Sequence, residues 1–146
     1  MSRPQTRQAL PIGLHLARTN RVIAQAFDRA MAEAGGSAAA WQVLLLVRSG
    51  QSGQQSEMAA AMGITSATLT HHLNGLERQG RVRRRRDDSN RRVQRTELTD
   101  EGAALFDRLR EVAMRHDRRL RSGLTDDELT ALAGMLDRLR ATVEAD

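Results

Sequence analysis

The side chains best equipped for chemistry in this sequence are its arginines, and their crowding points to a polyanion rather than to a reaction. The chain has 146 residues, and all 23 of its basic side chains are arginine. Nine of them, at positions 78, 81, 83, 84, 85, 86, 91, 92 and 95, share one segment with only two acids, Asp87 and Asp88. That segment carries +7 while the whole chain carries +5, so the remainder is slightly acidic. A local basic block on a balanced chain fits a polyanionic surface, and a solvated charge run is the plain alternative. Catalytic groupings are missing. His15, His71, His72 and His116 lack metal-ligand spacing, and the chain has no Cys for zinc, disulfides or thiol redox sensing. No nucleophile motif or glycine-rich phosphate loop is present. A binding protein is expected, with no enzyme activity, metal or cofactor.

A second group of polar residues lies just upstream. Ser66, Thr68, Thr70 and His71 precede or interleave with Leu69, Leu73 and Leu76, whose spacing of four and three marks the buried face of a helix. The four polar residues fall largely away from that face. Hydroxyls and imidazole at a helix start can reach base edges or phosphates, and the positive end of the helix dipole favours phosphate. Capping and solvation of a helix start is the competing reading. Downstream, Arg84 and Arg86 sit in an apparent strand, and Asn90, Arg91 and Arg92 at a turn. An arginine-tipped ribbon beside such a helix has the shape to enter a minor groove or grip the backbone of double-stranded DNA.

These groups need elements to hold them. From about Leu10 to Ala34 the apolar residues Ile12, Leu16, Ile23, Phe27 and Met31 follow a helical period, with Pro11 in the first turn and Gly35-Gly36 as the stop. Ser37 caps a second helix carrying Trp41, Leu44, Leu45 and Val47, and a polar loop covers 51–55. A short alanine-rich helix from Ser56 closes at Gly63, and Thr65 or Ser66 opens the next, which runs to about Gln79. Two helices around a tight glycine turn, with small Ala59 at their approach, form a helix-turn-helix. Val82 to Arg86 and Arg92 to Leu98 read as strands around Asp87-Asp88-Ser89-Asn90. Thr99 starts a helix with the stripe Leu105, Leu109, Val112, His116 and Leu120. Thr125 and Glu128 make a capping box for the last helix, with Leu129, Leu132, Leu136, Leu139 and Val143 on one face. The fold class expected is mainly α with a small β-hairpin wing. It is a winged helix-turn-helix whose N- and C-terminal helices form a dimerisation lobe. Residues 1–36 would be the N-terminal dimerisation helix, 37–98 the DNA-binding lobe and 99–146 the C-terminal dimerisation helices, all in one structural domain.

Dimerisation also follows from the terminal arms, whose amphipathic faces a lobe of about 60 residues cannot cover alone. Paired arms would set two reading helices one DNA turn apart, roughly 34 Å. No apolar run approaches a membrane span, and the polar N-terminus leads into no signal-peptide core, so a cytoplasmic protein is expected.

The stretches Gln55 to Ala59, Gly63-Ile64, Leu73 to Arg84, Asn90 to Val93 and Leu98 to Gly102 resemble the MarR family of bacterial regulators. The resemblance spans nearly the whole chain, and its most specific pieces are Leu76 to Gly80 and the wing leading into Leu98-Thr99. It implies a dimeric repressor on a pseudo-palindromic operator, released by a small-molecule effector such as a phenol or aromatic acid. The family's ligand pocket lies where the first two helices and the first C-terminal helix meet the DNA-binding lobe. His15, Arg18 and Trp41 are the candidates for it, against a reading of Trp41 as core and the other two as surface or dimer contacts. Two departures stand out. The family's wing commonly reads Asp-x-Arg where this chain has Asn90-Arg91-Arg92, leaving Asp88 as the candidate carboxylate. Arg81 occupies a position that is usually apolar, so the base of the first strand is expected to be more exposed. The alternatives are a non-specific nucleic-acid-binding or architectural protein using the arginine-rich wing, and a winged helix that mediates protein contacts.

Overall fold

Four helices begin at hydroxyl residues whose side chains accept a backbone N–H three residues on. The computed structural model describes residues 9–50 and 54–145; the polar N-terminus and most of the 51–55 loop lie outside them. In chain order the elements are α1 (Ile12–Glu33), α2 (Ala38–Arg48), α3 (Gln55–Met62), α4 (Ser66–Arg78), β1 (Val82–Arg86), β2 (Gln94–Leu98), α5 (Asp100–Arg121) and α6 (Asp126–Glu144). The caps are Ser37, Thr65, Thr99 and Thr125, and Thr125 with Glu128 forms the complete capping box. Each such cap contributes about 1 kcal/mol. Pro11 stands one residue before α1, where its carbonyl accepts from His15 N–H at 3.0 Å. Gly63, at φ +66°, makes the left-handed turn between α3 and α4.

The hairpin pairs β1 with β2 antiparallel, placing Val82 opposite Leu98, Arg84 opposite Thr96 and Arg86 opposite Gln94. The second strand is shorter than expected. Arg92 and Val93 belong to the turn, because Val93 N–H donates to Asn90 O at 2.9 Å and the Asn90 side chain accepts from Arg92 N–H at 3.2 Å. The tip arginines therefore project from a turn and not from a ladder.

One core joins Met31 of α1, Val43 and Leu44 of α2, Met58 and Ala59 of α3, Leu69, Leu73 and Leu76 of α4, Val82, and Leu105, Phe106 and Leu109 of α5. Burying each large aliphatic side chain is worth about 1.5–3 kcal/mol. The expected stripes are thus buried at one end only. Ile12 and Leu16 on α1, Leu120 on α5, and Leu132, Leu136, Leu139 and Val143 on α6 are exposed, and α6 has no buried residue. Leu45, assigned to the apolar set of α2, is also exposed. His116 continues the α5 stripe, with its ring 5.1 Å from that of Phe27.

The start of α5 presses on the base of the wing. Thr99 N–H donates to Arg81 O at 3.2 Å, and Thr99 Oγ1 donates to Gly80 O at 2.5 Å. Gly102 lies so close that a β-carbon there would come within 1.8 Å of Arg81 O. This contact also corrects the expectation for Arg81. Its N–H is held by Leu76 O at 2.8 Å, the residue is half-buried, and Val82 beside it is buried. The base of β1 is closed. Among the described residues, no single helix is long and apolar enough to cross a membrane.

Candidate nucleic-acid interface

The exposed side of α4 is made by helical period. With Leu69, Leu73 and Leu76 fixed inward, Ser66, Thr68 and His71 are exposed. The Thr68 hydroxyl lies 2.9 Å from Thr65 Oγ1, and Thr68 N–H donates to the same oxygen at 3.1 Å, so these two threonines order the first turn. Thr70 is different. It is half-buried, its hydroxyl donates to Ser66 O at 2.9 Å, and it accepts from the Gln55 side chain of α3. Its position serves the junction of the two helices. Gln55, read as loop in the sequence, is the residue that bridges them.

The wing divides its arginines by exposure and ion pairing. Arg86, Arg91 and Arg92 are exposed, as is Arg83. Among the described residues none of these four enters an ion pair. Arg85 pairs with Glu97 across the strands at 2.9 Å, and Arg95 pairs with Asp87 at 3.0 Å. Asp88 does not take the place of the family's wing carboxylate. Asp87 is the acid that orders the turn, receiving Ser89 N–H and Arg95, and these bonds hold its carboxyl below the usual carboxylate range. Asn90 supports Arg92 through the backbone rather than through its guanidinium.

Arg84 faces inward. Counting by two from buried Val82 puts it on the hairpin's inner side, opposite buried Thr96. Its Nε donates to Glu77 Oε2 at 3.1 Å, and Nη2 donates to Glu77 Oε1 at 3.2 Å and to Asn74 Oδ1 at 2.5 Å. The guanidinium bonds hold the Glu77 carboxyl below its usual value, against a smaller opposing effect of burial. The sequence groups Arg84 with the DNA-contacting arginines, and in the fold its guanidinium bonds to α4. The signal that could have found this is the placement of Val82, Arg84 and Thr96 on one strand face.

His15, Arg18 and Trp41 are not brought together. His15 and Arg18 lie on the exposed first half of α1. Trp41 is half-buried against the core and stacks on Phe106, with ring centroids 5.3 Å apart and planes 18° apart. Arg48 covers the Phe106 ring at 5.6 Å. None of the three candidates lines a cleft of about 350 Å³ that runs beside α4, walled by Ser37, Ala40, His71, His72, Gln79 and Leu105.

A helix-turn-helix with an arginine-tipped hairpin, flanked by long terminal helices, can be compared with known proteins. Residues 37–93 match the MarR family. The HTH-type transcriptional regulator PecS of Dickeya dadantii (strain 3937) is 31% identical over 127 residues, covering 85% of this chain and 76% of PecS. The chain belongs to the MarR family. This MarR-family protein is accordingly a DNA-binding transcriptional regulator and not an enzyme. Among solved structures it is similar to the transcriptional repressor CouR bound to a 23-mer DNA duplex, with 30% identity and a TM-score of 0.80 over 96% of this chain and 99% of that one. It is also similar to CouR from Rhodococcus jostii RHA1 bound to p-coumaroyl-CoA, with 26% identity and a TM-score of 0.76 over 88% and 90% of the two chains.

Proposed function

We propose that this MarR-family regulator is a dimeric repressor that reads a pseudo-palindromic operator and leaves it when a small aromatic acid or phenol binds. The observation that carries the reading is the unpartnered apolar surface on the helices flanking the DNA-binding lobe. Ile23, Leu120, Leu124, Leu129, Leu132 and Leu136 line a groove of about 850 Å³ between α1, α5 and α6. A large exposed apolar face on a soluble protein marks an interaction site, and a second copy offers a complementary face through twofold symmetry. Pairing would present two α4 helices to major grooves about one turn apart, with the tips at Arg91 and Arg92 reaching flanking minor grooves. The CouR likeness supports this, since a 23-mer spans about two turns of duplex. Acting on operator DNA places the protein in the cytoplasm.

The effector reading draws on the CouR structure holding p-coumaroyl-CoA, whose acyl group is a phenol. In this chain Trp41 supplies a ring to stack on, while His15 and Arg18 supply charge on the exposed arm. They would act at one site only where dimerisation brings the arms together. A ligand of this kind would release DNA by favouring an arm geometry whose helix spacing no longer fits the operator.

Competition binding tests the reading against a non-specific architectural role. A specific regulator should favour the DNA upstream of its own gene over random duplex by about a thousandfold or more at physiological salt. A ratio near unity would support the architectural role instead.

A further inference from the structure

Arg84 lies in the most basic stretch of the chain and yet its side chain is turned away from solvent. Its side chain is 19% exposed, against 62% for Arg85 and 63% for Arg95. Among the described residues, every hydrogen bond that its side chain and its N–H make runs to α4. Besides the three from its guanidinium, its backbone N–H donates to Glu77 Oε2 at 3.2 Å. Asn74 and Glu77 are three residues apart and so share one face of the helix. Glu77 also receives the fork in bidentate fashion, a geometry that fixes orientation as well as distance.

We propose that Arg84 is a positioning residue for DNA recognition, clamping the wing to the recognition helix so that both enter their grooves in one fixed register. A two-stranded hairpin is marginally stable by itself, and the exposed tip at Arg91 and Arg92 is held from the lobe at its base and by this clamp. Non-specific binding needs only positive charge near phosphate, which a rocking wing still supplies. Operator reading needs α4 and the tip in place together. The clamp therefore contributes to specific affinity and little to non-specific affinity. This inference rests on the proposal that the protein reads a specific operator.

The test is to measure binding of wild type, Arg84→Gln, Glu77→Gln and Arg92→Gln to operator and to random duplex over a range of salt. Arg84→Gln is expected to lower operator affinity about tenfold, a mid-range value for coupled polar groups. Its affinity for random duplex should fall only slightly, through the lost unit of charge, and its salt slope should stay at the wild-type value, because no phosphate contact is lost. Arg92→Gln should weaken both duplexes and reduce the slope by about one. Glu77→Gln separates the clamp from simple electrostatics by sign. Removing a negative charge near DNA would raise affinity for every duplex, whereas breaking the clamp lowers it for the operator. Glu77→Gln also carries the test if Arg84→Gln fails to fold by circular dichroism. The double variant Arg84→Gln with Glu77→Gln should be no worse than either single change.

A salt slope reduced by about one in Arg84→Gln, with both duplexes weakened alike, would make Arg84 a phosphate ligand and overturn the inference. An unchanged operator-to-random ratio in Arg84→Gln and Glu77→Gln would also overturn it, while leaving operator recognition standing. Absence of any preference in the wild type would remove operator recognition itself, and the clamp with it.

Discussion

Gly102→Ala adds one methyl group where α5 meets the base of the wing, and its cost can be worked out from that contact. The new carbon would lie 1.8 Å from Arg81 O and 2.8 Å from Arg81 C, where real β-carbons keep at least 3.0 Å. The Arg81 carbonyl must therefore retreat by about 1.2 Å, which weakens the bond it accepts from Thr99 N–H and shifts the strand that carries Arg84. Overpacking of this kind costs about 1–3 kcal/mol, and loss of a backbone hydrogen bond adds about 1 kcal/mol. Alanine's better helix propensity offsets up to about 1 kcal/mol. The net expectation is a loss of about 2 kcal/mol, or roughly 8 °C in Tm for a chain of this length. Gly75→Ala is the control. It makes the same change within α4, where the nearest atom to the added carbon is the Arg78 guanidinium at 3.9 Å. That variant should gain about 0.5–1 kcal/mol. Urea unfolding followed by the fluorescence of Trp41 reads both variants. A Gly102→Ala protein as stable as wild type, or shifted in the same direction as Gly75→Ala, would refute the close approach of α5 to the wing.

Replacing both tip arginines, Arg91→Ala with Arg92→Ala, should weaken binding to every duplex and lower the salt slope by about two, as read by titration at several salt concentrations. Glu77 should contribute to stability in full above its ordinary value of 4.5 and lose that contribution as pH falls through its lowered native value. Glu77→Gln should accordingly show a shallower loss of unfolding free energy in that acid window, by under about 1 kcal/mol because the pair is partly exposed; equal slopes would count against the Arg84 bond. Leu136→Asp, on a helix with no buried residue, should shift sedimentation toward a single chain while leaving Trp41 fluorescence unchanged. A change in Trp41 emission would place α6 within the lobe's own core.

Local chemistry made much of the fold legible. Ser37, Thr65, Thr99 and Thr125 act over three residues, so a cap can be read without knowing what packs nearby. The α4 stripe of Leu69, Leu73 and Leu76 was readable for the same reason. The wing was harder, because a strand written Val-Arg-Arg-Arg-Arg carries one apolar residue to set its facing. Arg84 could be told from Arg83 and Arg85 only by counting from Val82, and its partners Asn74 and Glu77 lie on another element. The half-burial of Thr70 was not legible, because helical period shows which residues leave the leucine face, whereas its burial depends on the packing of α3. The stripes on α6 and the first half of α1 showed that those helices are amphipathic. Whether the apolar side meets its own chain or another depends on tertiary arrangement, and among the described residues it meets no buried core.

Native mass spectrometry of the protein mixed with its upstream DNA and an equal-length scrambled duplex tests the central claim directly. The account predicts two chains on the upstream duplex and little occupancy of the scrambled one. One chain per duplex, or equal occupancy of both duplexes, would contradict it.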